Sequence, residues 1–119
     1  MKLAEAARLF AAHALWRATG STAAGRVLIE VLDSPDETNR TAAGMLLVRR
    51  GRQAIPLLRA ALQHGRSVPA VLRILGDIGC QEVAPDIERF TRSEDPEVKE
   101  AARQAMRELD RSQGAAPRT

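Results

Sequence analysis

One pattern recurs four times along this chain, and it limits what the chain can fold into: two small residues, two larger residues four positions on, then a glycine. It reads Ala11-Ala12, Leu15-Trp16, Gly20; Ala42-Ala43, Leu46-Leu47, Gly51; and Ala70-Val71, Ile74-Leu75, Gly79. The fourth copy, Ala101-Ala102, Ala105-Met106, carries Asp110 at the glycine place. The copies are spaced by 31, 28 and 31 residues. Positions i, i+1, i+4 and i+5 share one face of a helix with 3.6 residues per turn. The glycine falls just past the end of that helix, where a left-handed backbone is needed. Such a period marks stacked helical units, none of which can bury its apolar face alone.

Shorter apolar segments lie between these B helices: Val27-Leu28 with Val31-Leu32, Ile55 to Leu62, and Val83 with Ile87 and Phe90. Pro56 and Pro85 sit in the first turns of the last two, where a missing N–H costs nothing. Ser34-Pro35-Asp36-Glu37 reads as a capping box with proline at the first helical position, and Asp95-Pro96-Glu97 opens the last B helix in the same way. No segment alternates like a strand. The chain is therefore expected to be all-α: an N-terminal B-type helix at about 3–19, then A and B helices at about 22–33 and 37–50, 53–63 and 66–78, and 82–92 and 96–109. As domains this gives an N-terminal helix (1–20, a half-repeat or cap), helix pairs (21–110) and a disordered tail (111–119), which holds Gly114 and Pro117 and no large apolar residue.

Glu82-Val83-Ala84-Pro85 through Asp95-Pro96-Glu97-Val98-Lys99-Glu100-Ala101-Ala102 resembles a HEAT-like repeat of the short type met in phycobilin lyases and in many bacterial proteins. Ala54-Ile55-Pro56-Leu57-Leu58 with the Ile74–Gly79 end resembles it less closely. The first pair departs from the pattern, since Arg26 stands where the A-helix proline would be. The resemblance covers about 22–110. It implies an α-solenoid of about three helix pairs plus the N-terminal helix. It says little of activity, because such repeats serve helper subunits, scaffolds and adaptors alike.

Charge distinguishes parts of the chain that the repeat makes alike. Of 18 basic residues all but Lys2 and Lys99 are arginine, against 15 acids and a net charge of +3. Between Glu37 and Asp77 there is no acid, and Arg40, Arg49, Arg50, Arg52, Arg59, Arg66 and Arg73 fall there. From Cys80 onward nine acids face seven bases. The polarity suits a partner with an acidic segment more than a uniform surface would. The longest apolar stretch, Leu9 to Trp16, is interrupted by His13 and too short to span a bilayer. Glu5 and Arg8 break any secretory leader, and the lone Cys80 fits a reducing compartment, so a bacterial cytoplasmic protein is expected.

Residues that carry chemistry are scarce. His13 and His64 stand far apart in sequence without ligating neighbours, so no metal is expected. Cys80 follows Gly79 in a turn with no base nearby in sequence and reads as a filler thiol. Asp36-Glu37 and Glu94-Asp95 lie at helix starts, where capping explains them. No phosphate-binding or nucleophile motif occurs. No catalytic residue and no cofactor is assigned, and the chain is expected not to be an enzyme.

Function is then read from the surface. With the small pairs in the core, the outward ridge of the B helices is Thr41, Met45 and Arg49; Arg66, Arg73 and Asp77; and Glu97, Glu100, Gln104 and Glu108. Solenoids bind along such ridges, so Arg49, Arg50, Arg66, Arg73 and Met45 are the candidate partner-binding residues. The N-terminal helix carries an apolar stripe with no A helix before it, and Leu9, Phe10 and Ala14 are candidates for a second contact, including a homodimer. The expected function is a protein-binding adaptor or scaffold. The alternatives are a nucleic-acid-binding accessory protein, disfavoured because no aromatic interleaves the arginines and Trp16 falls in the core, and a helper subunit of an enzyme.

Overall fold

Alanine and leucine are strong helix formers, and most of the described residues are helical, joined by short turns. The computed structural model describes residues 2–115, with side chains through Ser112. The helices are α1 (Leu3–Thr19), α2 (Thr22–Val31), α3 (Glu37–Arg50), α4 (Ile55–Gln63), α5 (Val68–Ile78), α6 (Ala84–Glu88) and α7 (Pro96–Ala115). Short 3-10 turns at Gly51–Ala54 and Gln81–Val83 lead into α4 and α6, and a third, Arg89–Arg92, follows α6. No strand occurs among the described residues.

The expected B helices are present, and the first three are each followed by the expected glycine at positive φ. Gly20 closes α1 in the left-handed conformation at φ 71°, its N–H donating to the Trp16 carbonyl, and Gly79 follows α5 at φ 76°. One cap and one helix differ from expectation. α3 opens at Glu37 as expected, but it is capped by Asp36, whose carboxylate accepts from the Asn39 N–H at 3.1 Å, rather than by Ser34. Ser34 is left to accept from the Asp36 N–H and to donate to Glu5 on α1. The third A helix, expected over 82–92, is α-helical only at Ala84–Glu88. Thr91 Oγ1 donates to the Glu88 carbonyl at 2.7 Å, a local bond that competes with the α-helical ladder. α7 runs on through Ala115, past Arg111 where the disordered tail was expected to begin, while 116–119 lie outside the described residues.

The chain divides into two compact units, one ending at Ser67 and the other beginning at Val68. In the first unit α2 packs against α1, α3 and α4, and α1 also meets α3. The core is made of Leu9, Trp16, Leu28, Leu47 and Leu58, all buried. Gly25 lets α2 come this close. A Cβ there would collide with Leu57 and stand 3.2 Å from the Trp16 ring. In the second unit α5 lies against α7, and α6 and its 3-10 turns pack on α7. The closest approach is at Gly76, where a Cβ would be 2.8 Å from the Ala105 Cα and 2.9 Å from its Cβ. The small residues of the repeat are thus the means by which helix backbones meet.

Candidate functional site

α1 and α3 end at one edge of the first unit, where their last turns carry Arg17, Arg49 and Arg50, and His13 lies about a turn earlier in α1. Cations there complement the negative end of each helix dipole. Burial, reinforced by the charges of Arg17, Arg50 and Arg49, pushes the His13 imidazole below its ordinary value, so the ring is neutral at pH 7. The Arg50 guanidinium lies 4.8 Å from the Trp16 ring centroid, a cation–π contact. Arg50 is therefore half-buried and tied to the core, with its Nε enclosed and unbonded, and is less available to a partner than its sequence position suggested. Arg49 remains exposed.

From this edge a groove runs between α2 and α4. Its first part, about 560 Å³, is lined by Trp16, Arg17, Arg26, Arg50 and Pro56 among others. Its second part, about 620 Å³, is lined by Arg26, Ile29, Ala61, His64 and Arg66. Arg26, Leu57 and Ala60 line both parts, so the two adjoin. It has apolar side chains along its floor and arginines at both ends and in the middle. Among the described residues Glu30 is its only lining carboxylate, and Arg8 of α1 pairs with it at 2.8 Å. The groove lies on the A helices, whereas the sequence pointed to the B-helix ridge. On that ridge a smaller depression of about 360 Å³ lies along α3, lined by Thr41 and Met45, the latter 58% exposed.

Of the predicted partner-binding residues, Arg49, Arg50 and Arg66 belong to the first unit and Arg73 to the second, where it is exposed on α5 with Asp77. Burial and the neighbouring Glu108 charge raise the Asp77 carboxyl above its ordinary value. On α7 Glu97, Glu100 and Gln104 are exposed and Glu108 half-buried. At the N-terminal helix Phe10 is 48% exposed and Ala14 is exposed, but Leu9 is 0% exposed and belongs to the core. The outward stripe runs instead through Leu3, Ala7, Phe10 and Ala14, with Leu15 beside it. Leu9 follows the buried row Ala6, Leu9, Ala12 and Trp16 that faces α2 and α3.

Sequence reasoning missed Arg17 and Arg26 as groove residues. The one available sign was Arg26 at the proline place of the first A helix. It also missed Asn39, fully buried, whose Nδ2 donates to Glu5 at 2.8 Å and to the Lys2 carbonyl at 3.2 Å. Hydrogen bonds from Ser34 and Asn39 hold the Glu5 carboxyl below its usual range. Among the described residues no group of three or more His, Cys, Asp or Glu side chains is placed to hold a metal. No helix among them is long and apolar enough to cross a membrane. Cys80 is buried.

The sequence is similar to the phycocyanobilin lyase subunit alpha of Picosynechococcus sp., with 36% identity over 105 residues that take in 76% of this chain. This similarity agrees with the resemblance to phycobilin-lyase repeats read from the sequence. The chain spans only 39% of that relative's length. No family model matches the chain, and no solved structure does.

Proposed function

We propose that this protein is a non-catalytic helper subunit that works by holding a partner polypeptide, in the manner of a component of a lyase-type assembly. The observation that carries this reading is the similarity to a protein named as a lyase subunit. It favours a helper subunit over the free-standing adaptor or scaffold that the sequence first suggested. Within this reading the helix pairs stack as a short solenoid, as repeats of this kind do. The arginines at the α1 and α3 ends, with Arg66, Arg73 and Met45, supply contacts to the partner. The exposed stripe of α1 supplies a second contact.

The test is capture of a tagged full chain from its own cells, with and without nuclease, followed by native mass spectrometry. A complex of fixed stoichiometry that survives nuclease is expected. Recovery of nucleic acid alone, or no complex, would overturn the proposal. Lyase activity in this chain without a second polypeptide would overturn its non-catalytic part.

A further inference from the structure

We infer that the α2/α4 groove is a docking site for an acidic amphipathic helix of the partner polypeptide, which rests on the helper-subunit reading above. Three features of the groove select that occupant. First, its floor is apolar, through Ile29, Leu57 and Ala60, while Arg26 stands midway and Arg17 and Arg66 stand towards opposite ends. Among the described residues none of these three arginines has an ion-pair partner, and the lining carboxylate Glu30 is engaged by Arg8. A partner with carboxylates on both flanks of an apolar stripe complements this arrangement in charge and in hydropathy.

Second, the walls are helices, whose backbone donors and acceptors are already used. An extended peptide laid on the apolar floor would find no sheet edge and would leave its own N–H and C=O groups unsatisfied. A helix satisfies them internally. α4 has nine residues, which gives a floor about 13 Å long, enough for more than two turns of a docked helix. Third, the groove is open along its length. A small-molecule site buries most of its ligand's surface, which this shape does not do. A nucleic acid would want exposed aromatic platforms, and Trp16 is buried beneath Arg50.

The experiment uses the full chain and a labelled helical peptide of about three to four turns, leucine on one face and glutamate on both flanks. A second peptide has lysine in place of glutamate. Binding is read by anisotropy and by the emission of Trp16, the single tryptophan, which borders the groove. The glutamate peptide is expected to bind about 10-fold or more tighter than the lysine peptide. Arg26→Glu and Arg66→Glu, both at exposed positions, should each weaken it about 10-fold, whereas Arg103→Glu, which reverses the same charge at an exposed position of α7 outside the groove, should change it less than about 2-fold. Equal binding of the two peptides, or indifference to Arg26→Glu and Arg66→Glu, would overturn the inference. So would an oligothymidylate that displaces the glutamate peptide at lower concentration. If a partner co-purifies but is insensitive to these variants and to the peptide, the groove assignment fails and the helper-subunit reading stands. If the peptide binds as expected but no partner is captured, that reading fails and the groove assignment stands.

Discussion

Asn39 shows how one side chain ties an N-terminal helix to the next pair. Its amide bridges Glu5 and the Lys2 carbonyl from the first turn of α3, and Asp36 in front of it accepts the Lys2 N–H at 2.6 Å. Asn39→Ala leaves those acceptors without their donor in a part-buried setting, so unfolding free energy should fall by about 1–3 kcal/mol at pH 7, measured by urea titration. Glu5 and Asp36 are both held below their usual values. Their folded-state contribution is therefore present above the ordinary carboxylate range and lost as pH falls through the depressed values. The difference between Asn39→Ala and wild type should shrink accordingly in acid. Asp77 has the opposite sign. Its carboxyl is raised by burial and by Glu108, so the unfolded chain ionises more readily, and stability is lost as pH rises through the interval. Asp77→Asn should raise the thermal midpoint at pH 7, and the gain should vanish near pH 3, where aspartate carries its proton in both states. Gly76→Ala tests packing alone. Its Cβ would meet the Ala105 backbone, so α5 and α7 must separate, at a cost of about 1–3 kcal/mol.

The individual helices differ in how far their sequences account for them. α2 has its cap in place, with the Ser21 hydroxyl accepting from the Ala24 N–H at 3.3 Å, and Ser21→Ala should lower stability by about 1 kcal/mol in thermal or urea unfolding. α1 has a buried row facing the core and an outward row that is nearly as apolar. Leu3 is 78% exposed, and Phe10 lies on the same stripe. Replacing both by serine should leave the far-ultraviolet circular dichroism unchanged, because neither is in the core, while weakening capture of the partner. The B helices were legible because the paired small residues and the closing glycine are local signals. The third A helix was not legible as a short one, since the bond from Thr91 to Glu88 is one of several that threonine could make. The start of α3 was legible but its cap was not, because Ser34 and Asp36 are both good caps in sequence. In the fold Ser34 bonds Glu5 of α1 and the Asp36 N–H, and Asp36 takes the cap.

At the scale of the whole molecule, the arginines were visible as a run but their uses were not. Arg40 donates to the Ser34 carbonyl at 2.7 Å, Arg50 stacks on Trp16, and Arg66 lines a groove with Arg26, which lies outside the run altogether. Partner association that depends on such exposed charges should weaken steeply with salt. We expect about a 10-fold loss between 0.05 and 0.5 M sodium chloride, read by anisotropy, because screening shortens the reach of surface charge to a few ångströms. The sequence by itself determined the helical class, the period, the glycine stops and the small residues at which helices approach, because each follows from spacing along one helix. Tertiary structure alone decided that Leu9 is core while Phe10 is not, and that a groove opens between the A helices α2 and α4. It also decided which arginines are spent on the fold and which face solvent. Those outcomes depend on which neighbour covers each helix face, and no periodicity within a single helix encodes its neighbour.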